Sequence, residues 1–311
     1  MKKSEIKIGD KIIENNLFLA PIAGYTNFAF RKNILPFNVG FCYTELVSAK
    51  GLFFGGKSNQ QLLDASDYNK TGAQIFGSEP YYLRKACESD YLKNYQIVDI
   101  NMGCPVPKVF KNGEGSALLR DVNLAESCIS ECVKSGKIIT VKIRTGLKYG
   151  DDIASEYAKM AENAGASLIT IHGRVREAYY SGEVDYKAIE NAKKSVKIPV
   201  IANGGIFTKE DADNLIDRTG ADGVMIARGA IQNPFIFNQI LNVDTKTSIK
   251  DFAIAFLRDF VTHYGEKRAC VEFRKYATYF YKNQINGKSA RLKICQTESF
   301  DEIKKILENT L

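Results

Sequence analysis

The chain has 311 residues, with 43 lysines and arginines against 36 aspartates and glutamates, so its net charge is +7 at neutral pH. Hydrophobic residues make up 45% of the sequence, which is enough to bury a core and excludes a fully disordered chain. No run reaches the roughly 18–20 apolar residues of a membrane-spanning helix. No apolar stretch follows Lys2 and Lys3, so we also expect no secretory signal.

Cysteine and histidine usage bears on the compartment and on metal binding. The seven cysteines are odd in number and form no Cys-x-x-Cys pair, which favours a reducing cytosol over a disulfide framework or a zinc ribbon. Only two histidines occur, so a histidine-rich metal site is not expected. We therefore predict a cytoplasmic protein without a bound metal and with no obligate protein partner. The cysteines expected in the core rather than in chemistry are Cys42, Cys87, Cys128, Cys132, Cys270 and Cys295.

Up to about residue 245, short apolar runs alternate with longer segments of helical period. The runs are mostly continuous rather than alternating, as expected for parallel strands covered on both faces. We predict an α/β fold, a (β/α)8 TIM barrel over residues 1–245. The alternative is a doubly wound sheet, which would lack the Gly-x-Gly-x-x-Gly pattern after its first strand. The eight runs are residues 17–20, 39–43, 73–76, 97–101, 139–143, 168–172, 200–202 and 223–227.

The segments between the predicted strands carry two kinds of local signal. Thr208 begins a capping-box pattern that ends at Asp211, and Asp121 or Asn123 is expected to cap the helix that follows it. The long segment after the fourth strand, residues 102–138, is rich in Gly, Pro and Lys at its start. We interpret that start as a functional loop.

After residue 246 the pattern becomes helical. Aromatic residues recur every four positions from Phe252 to Tyr264, a second amphipathic stretch follows, and a third covers about residues 298–309. We predict a small all-helical domain over residues 246–311. Between Thr262 and Lys293 lie eight basic and two acidic residues, a net +6 out of the whole-chain +7. This asymmetry indicates either a polyanionic partner or a solvated helix face.

Polar and glycine residues follow the predicted strands at the end where barrel enzymes place their active sites. The loops after strands seven and eight contain Gly204, Gly205 and Gly229, which let a ligand approach the backbone, and Arg228 is adjacent. We expect a phosphate site there, with simple tight turns as the alternative. The residues at the strand ends are Pro21, Ile22, Ala23, Gln74, Asn101, Cys104, Lys142, Arg144, His172, Arg174, Asn203, Gly204, Gly205, Ala227 and Arg228.

Three of these side chains suggest chemistry. Lys142 alternates with apolar residues in the fifth strand, where a cation is costly unless it is paired or faces a polar cavity. It could stabilise a developing anion or form a Schiff base. His172 could be a ligand contact, a base or a core histidine. Cys104 lies between Gly103 and Pro105, and a thiol of ordinary pKa is protonated at neutral pH and can act as a general acid.

The most specific pattern is Asn-x-Gly-Cys-Pro-x-x-Lys, within DINMGCPVPK at residues 99–108. Together with six further segments, it makes the sequence resemble the bacterial tRNA-dihydrouridine synthases, flavoenzymes that reduce uridine in tRNA. The order and spacing hold across about residues 8–285. The six segments are APIAGYTN at 20–27, GAQIFG at 72–77, VKIR at 141–144, IHGR at 171–174, NGG at 203–205 and MIARG at 225–229.

The resemblance implies an FMN at the barrel mouth and assigns residues to it. Pro21, Ile22 and Ala23 would lie along the isoalloxazine, and Gln74 and Lys142 would bond its polar edge. His172 would contact the flavin as well. The residues implied for the phosphate are Asn203, Gly204, Gly205, Ala227 and Arg228, and those implied for a flipped uracil are Asn101, Arg144 and Tyr180.

The resemblance also implies a mechanism and a partner. NADPH would reduce the flavin, the flavin would pass hydride to C6 of uracil, and Cys104 would donate a proton to C5. The base would have to leave its stack to reach the flavin. The basic helical tail, including Arg274 and Lys275, would bind the tRNA. Two positions depart from the common pattern of relatives, because Gly205 often corresponds to Asp and Tyr276 to His.

Three other functions are consistent with parts of this pattern. A flavin barrel acting on a free pyrimidine would share the fold and cofactor but would not need the basic tail, and the same chemistry could act on another structured RNA. A Schiff-base aldolase would use Lys142 without flavin. A non-catalytic RNA-binding barrel would not need Cys104, Lys142 and the glycine loops.

Overall fold

The computed structural model describes residues 2–282 and 284–311. These residues form eleven strands and fifteen α-helices. The strands are β1 (Ile6–Ile8), β2 (Lys11–Ile13), β3 (Leu17–Leu19), β4 (Phe41–Tyr43), β5 (Val47–Ser48), β6 (Thr71–Phe76), β7 (Ile97–Met102), β8 (Ile138–Arg144), β9 (Leu168–His172), β10 (Val200–Asn203) and β11 (Gly223–Ile226). The helices are α1 (Phe28–Ile34), α2 (Ala49–Phe53), α3 (Lys57–Gln60), α4 (Pro80–Cys87), α5 (Pro107–Lys111), α6 (Val122–Val133), α7 (Ala154–Asn163), α8 (Tyr186–Ser195), α9 (Lys209–Thr219), α10 (Arg228–Gln232), α11 (Ile236–Ile240), α12 (Ile249–Tyr264), α13 (Glu266–Phe280), α14 (Gly287–Cys295) and α15 (Phe300–Thr310).

Eight of the strands close into a parallel barrel. The hydrogen-bonded order is β4-β3-β11-β10-β9-β8-β7-β6, and the ring closes because β4 also pairs with β6. The two-residue β5 extends the sheet beside β6. This arrangement confirms the predicted (β/α)8 barrel and excludes the doubly wound sheet, which would have open edges.

Two apolar clusters fill the barrel domain, and both follow from the continuous character of the strands. Side chains on one face of each strand pack against the surrounding helices, as Val98, Ile100 and Ile169 do. Side chains on the other face, such as Phe18 and Ile201, fill the barrel interior. A strand buried on both faces needs apolar residues in consecutive positions, which is why these segments show no alternation.

The N-terminal hairpin β1–β2 was not predicted from the sequence. Ile6, Ile8 and Ile13 are buried and pack with the interior cluster of the barrel. Gly9 has φ +62 and forms the turn between the two strands, a conformation that favours glycine. Each strand has only three residues, too few for a period-two pattern to stand out.

The predicted local signals are confirmed in the helical layer. Thr208 and Asp211 form a capping box at the start of α9, and Asp121 caps α6 by accepting from the Leu124 backbone N–H. The segment after β7 contains α5, the 3-10 helix Gly115–Arg120 and α6, so the predicted loop is confined to its first residues.

Helices α12 to α15 follow the barrel. The four-residue aromatic spacing predicted α12 correctly, and Phe252, Phe256 and Phe260 are buried. The stretches predicted for α13 and α15 are also helical, whereas α14 was missed. Five of the six cysteines expected in the core are buried, but Cys295 at the end of α14 is exposed. A domain division at residues 245 and 246 stays a prediction.

Candidate active site

A cavity of about 690 Å³ opens at the carboxyl end of the barrel strands. This is the size expected for a small-molecule or cofactor site. Its wall combines apolar side chains with four cations, two amides, an imidazole and one thiol. Loops after β3, β7, β8, β9, β10 and β11 all contribute to it, because the carboxyl ends of parallel strands meet at one edge of a barrel.

The loop after β3 forms one apolar wall. Pro21, Ile22 and Ala23 line the cavity. The turn is closed by Thr26, whose Oγ1 accepts from the Ile22 backbone N–H at 2.8 Å. Gly24 has φ +78, and the buried carboxylate of Glu45 accepts a hydrogen bond from its backbone N–H.

The loops after β10 and β11 form a cradle built from glycine backbone. Gly204 and Gly205 have φ values of +132 and +72. A Cβ on Gly229 would lie 2.2 Å from the Ile206 carbonyl oxygen, so only glycine fits there. Asn203 links the two strands, since its Nδ2 donates to the Met225 carbonyl at 2.7 Å.

Positive charge is concentrated beside this cradle. Lys142, Arg144, Arg174 and Arg228 all line the cavity. Burial, reinforced by Arg144, lowers the pKa of Lys142 to about 7, and burial lowers the pKa of Arg144 to about 10. Burial and the same cations hold the pKa of His172 well below its usual range, so this imidazole is neutral at physiological pH. An anion bound here would relieve the repulsion among these groups.

The thiol of Cys104 lies on a braced loop after β7. The Asn101 Oδ1 atom accepts from the backbone N–H groups of Gly103 and Cys104, at 3.1 and 2.8 Å. Ser116 donates to the Cys104 carbonyl at 2.7 Å, and Arg144 Nε donates to the Gly103 carbonyl at 2.8 Å. Burial raises the pKa of the thiol although Arg144 opposes this, so Cys104 is protonated at neutral pH.

A chain of buried polar side chains runs beneath this loop. Gln74 Nε2 donates to Asp99 at 2.8 Å, and its Oε1 accepts from Asn101 Nδ2 at 2.9 Å. Asp99 also accepts from Thr140 at 2.7 Å, and Thr140 Oγ1 lies 3.1 Å from the Tyr43 hydroxyl. Burial raises the pKa of Asp99 to about 6.

Tyr180 covers the cationic side of the cavity. Its ring centroid lies 5.6 Å from the Arg144 guanidinium carbon and 5.3 Å from that of Arg228. The ring is half exposed. The two guanidinium groups lie over the ring, and its exposed part is free to contact a planar ligand.

The sequence was also compared with models of protein families. The model for dihydrouridine synthases matches residues 18–308 of this chain. The chain belongs to the dihydrouridine synthase family. The probable tRNA-dihydrouridine synthase of Rickettsia bellii is 33% identical over 298 residues, which cover 92% of this chain and 91% of that protein. The tRNA-dihydrouridine synthase B of Vibrio cholerae is 32% identical over 314 aligned positions, which cover 97% of this chain and 98% of that protein.

Solved structures share the fold at low sequence identity. Histamine dehydrogenase from Rhizobium sp. 4-9 superimposes with a TM-score of 0.58 and 12% identity, covering 82% of this chain and 50% of that one. A variant of NCR from Zymomonas mobilis gives a TM-score of 0.53 and 14% identity, covering 80% of this chain and 94% of that one.

The match to the family model confirms the predicted family. Dihydrouridine synthases are flavin oxidoreductases, so the match also confirms the predicted enzyme class.

In this family member, most of the predicted site residues meet at one cavity. Asn101 and Cys104 lie on one side and Asn203, Ala227 and Arg228 on another. Gln74 is fully buried beneath the Cys104 loop and is not among the cavity-lining residues. The predicted residues that line the cavity are Pro21, Ile22, Ala23, Asn101, Cys104, Lys142, Arg144, His172, Tyr180, Asn203, Gly204, Gly205, Ala227 and Arg228.

The two basic residues predicted to contact RNA lie on α13, outside the cavity lining. Arg274 is partly buried, and its guanidinium donates to the Thr297 carbonyl at 3.3 Å. Lys275 forms an ion pair with Glu272 at 3.2 Å, and its Nζ lies 5.4 Å from the Tyr25 ring centroid. Lys275 is thus close to the loop after β3, whereas Arg274 faces the other helices.

Three residues that the structure brings to the site had no role predicted from the sequence. Arg174 lies in the cavity wall with its Nη1 3.4 Å from His172 Nε2, and its place two residues after His172 was a usable signal. Glu45 is buried beside Gly24, and Asp99 anchors the polar chain. Glu45 lies between β4 and β5 and Asp99 lies within β7, so each is an isolated acidic residue with no pattern to detect.

The donors present at the cavity fit a flavin mononucleotide. The Gly204–Gly205 and Gly229 loops leave room that a Cβ would fill, and Arg228 and Arg174 supply charge for a phosphate. The apolar wall around Ile22 offers a flat surface for a ring system. Lys142 Nζ, 3.0 Å from Asn203 Oδ1, is a donor at the cavity edge.

The described residues contain neither a membrane-spanning helix nor a cluster of metal-ligating side chains. In residues 2–282 and 284–311, no helix has both the length and the apolar character needed to cross a bilayer. The described residues also contain no group of three or more His, Cys, Asp or Glu side chains placed to hold a metal ion.

Proposed function

We propose that this protein reduces uridine to 5,6-dihydrouridine in tRNA, with FMN as its flavin and NADPH as the electron donor. The observation that carries the proposal is the pairing of a protonated, braced thiol at Cys104 with an anion cradle in the same cavity. The related proteins of Rickettsia bellii and Vibrio cholerae are named tRNA-dihydrouridine synthases, which supports tRNA as the substrate. We propose a cytoplasmic location and no obligate protein partner.

Saturation of the uracil 5,6 double bond requires a hydride at C6 and a proton at C5. A flavin held in this cavity would supply the hydride. Cys104 donates the proton, because burial keeps its thiol protonated at neutral pH. Asn101 holds the loop that carries this thiol through its two backbone hydrogen bonds, so the proton donor has a defined position.

Negative charge moves toward the C4 carbonyl of uracil as hydride arrives. Lys142 and Arg144 place positive charge in the same cavity. An anion near Lys142 raises its pKa above the value of about 7 that it has alone, and so keeps it charged. Arg144 is held by the carbonyls of Val175 and Tyr179, at 3.0 and 2.7 Å, so its orientation is set before the substrate binds.

A uridine within folded RNA has to be extruded to reach this cavity. Tyr180 offers a half-exposed ring at the rim, on which a base can stack, and Asn101 and Arg144 lie deeper. Lys275, on α13 beside the loop after β3, and Arg274 are proposed to contribute to tRNA binding through the helical segment. These assignments place RNA over the barrel mouth.

The test starts with the visible absorption spectrum of the purified protein, before and after addition of NADPH without oxygen. We expect a flavin spectrum that bleaches. The reduced protein is then given tRNA lacking dihydrouridine, tRNA pretreated with ribonuclease, and free uracil, and dihydrouridine is measured by mass spectrometry. Product from intact tRNA alone supports the proposal. A colourless protein that takes up no FMN, or equal activity on free uracil, contradicts it.

A further inference from the structure

Two arginines stack on a single phenylalanine at the rim of the cavity. The guanidinium carbons of Arg120 and Arg176 lie 4.1 and 3.8 Å from the ring centroid of Phe110. Two guanidinium groups this close to one centroid cannot share a face, so the ring lies between them. We call this set of three residues the arginine sandwich.

The position of the arginine sandwich relates it to the active site. Phe110 follows Val109, which lines the cavity, and Arg176 lies two residues after Arg174, which also lines it. The backbone N–H of Arg176 donates to the Gly146 carbonyl at 2.8 Å and so fixes this loop to the one after β8. The sandwich therefore lies beside the entrance, on the side formed by the loops after β7, β8 and β9.

Neither arginine of the sandwich has an acidic partner. Among the residues that the structure describes, no carboxylate lies within ion-pair distance of Arg120 or Arg176, and the buried Nε of Arg176 has no hydrogen-bond partner. Cations on the outer helices behave differently. Arg84 pairs with Glu88 at 2.7 Å, and Lys194 forms an ion pair with Glu190.

Three carboxylates close to these arginines in sequence or in the loop after β8 accept hydrogen bonds from backbone N–H groups. Asp121 accepts from the Leu124 N–H at 3.0 Å, and Asp151 accepts from the N–H groups of Leu147 and Lys148 at 2.8 and 2.9 Å. Glu177 accepts from the Tyr149 N–H at 2.5 Å. Each of these carboxylates therefore has a hydrogen-bond partner other than the two guanidinium groups of the sandwich.

We propose that the arginine sandwich binds backbone phosphates of the RNA strand that flanks the extruded uridine. This inference rests on the proposed function and adds a contact surface on the barrel, across the mouth from α13. Stacking on Phe110 covers one face of each guanidinium without using its hydrogen-bond donors, which suits binding of a phosphate. Phosphate contacts fix the register of an RNA on a protein without reading its sequence.

The test compares tRNA affinity at several salt concentrations for Arg176→Gln and Arg120→Gln in the flavin-loaded protein. Each variant is expected to bind tRNA about tenfold more weakly and to lower the slope of log affinity against log salt by about one. Phe110→Leu keeps both charges but removes the stacking, so it should weaken binding with little change in slope. Arg120 is exposed, so its variant remains informative if Arg176→Gln is unstable.

Arg218→Gln is the matched control. Arg218 also stacks on an aromatic ring, that of Tyr186 at 3.6 Å, but it lies in α9 and does not line the cavity. Equal effects of Arg218→Gln and Arg176→Gln would overturn the inference. So would retained tRNA affinity with a raised KM for NADPH in flavin reduction, which would assign the phosphate to NADPH. Failure of the unsubstituted protein to bind any tRNA would overturn the proposed function as well.

Discussion

Cys104 has the properties of a proton donor rather than of a nucleophile. Burial raises the pKa of its thiol, and the opposing effect of Arg144 is smaller. A nucleophilic cysteine needs the reverse, a cationic environment that stabilises the thiolate. Its neighbour in the cavity, His172, is held neutral by burial and by the surrounding cations, so it does not supply such an environment.

Replacement of Cys104 by Ala is expected to reduce uridine turnover by about 10²–10⁴-fold, the usual contribution of a positioned general acid. Flavin binding, flavin reduction by NADPH and tRNA affinity should be retained, since alanine removes only the proton donor. Single-turnover reduction of tRNA by the prereduced protein measures this. Cys295→Ala, at an exposed cysteine on α14, is the control. Normal turnover by Cys104→Ala would show that the proton comes from elsewhere.

Lys142 is expected to make stability depend on pH in flavin-free protein. Its folded pKa is about 7 and its ordinary value is 10.5, so between these values the unfolded chain binds more protons than the folded one. The free energy of unfolding therefore rises with pH through this window, by at most about 1.4 kcal/mol per pH unit from this group. Below about pH 7 both states are protonated and the destabilisation is fully present.

The measurement compares urea unfolding of the unsubstituted protein and Lys142→Met at pH 7 and pH 9. The variant should be the more stable at pH 7, and its advantage should shrink at pH 9, because the unsubstituted lysine is neutral there in the folded state. At pH 7 and above, His172 is largely neutral in both the folded and the unfolded chain, so its titration adds little to this difference. A difference that does not change with pH would contradict the assigned pKa.

At the scale of elements, the buried polar chain ties two strands to the catalytic loop. Asp99 lies in β7 and accepts from Gln74 in β6. Asn101 donates to Gln74 and accepts from the backbone N–H of Cys104. Each bond sets the orientation of the next amide. An ionised Asp99 accepts only, so it receives the Gln74 NH₂ group and leaves the Gln74 oxygen for Asn101.

Asp99→Leu removes the acceptor that orients this chain. We expect faster hydrogen exchange at the amides of Gly103 and Cys104, and slower uridine turnover, because Asn101 no longer holds the loop in one position. Asp99→Asn is the matched control, since an amide can still accept from Gln74 and donate to Thr140. Unchanged exchange at both amides in Asp99→Leu would exclude a role of the chain in positioning the thiol.

Other elements differ in how far the sequence predicts them. The barrel strands were predictable because burial on both faces requires consecutive apolar residues, and α12 because Phe252, Phe256 and Phe260 share one face. The hairpin β1–β2 and helix α14 were not. Strands β1 and β2 have only three residues each, and α14 buries only Gly287, Ala290 and Ile294, so neither segment shows a strong apolar period.

For the whole molecule, Tyr276 links the C-terminal helices to a loop of the active-site cavity. Its ring is buried among Phe30, Phe256 and Phe273. Its hydroxyl accepts from Asn27 Nδ2 at 3.0 Å and lies within hydrogen-bond distance of the carbonyls of the loop after β3. That loop lines the cavity, so these hydrogen bonds connect α13 to the apolar wall of the cavity.

Tyr276→Phe keeps the packing and removes only this link. We expect the free energy of unfolding to fall by about 1–2 kcal/mol, because buried carbonyls and the Asn27 amide lose a partner. Flavin affinity should fall too, as the loop after β3 loses its support. Tyr281→Phe removes a hydroxyl that bonds to Thr310 within the C-terminal helices, and it should leave flavin affinity unchanged. Equal flavin affinity in both variants would contradict the coupling.

The sequence by itself determined the barrel, the enzyme family and fourteen of the residues that line the cavity. Apolar runs, glycine positions and the Asn101–Lys108 pattern are local properties, and parallel strands bring their carboxyl ends together whatever the helices between them contain. Only the tertiary structure decided the direction of each polar side chain. It buried Gln74 under the Cys104 loop, turned Arg274 toward Thr297 and, within residues 2–282 and 284–311, left Arg120 and Arg176 without acidic partners. The reason is that a side chain's partner lies on another element, at a distance in sequence that no local pattern records.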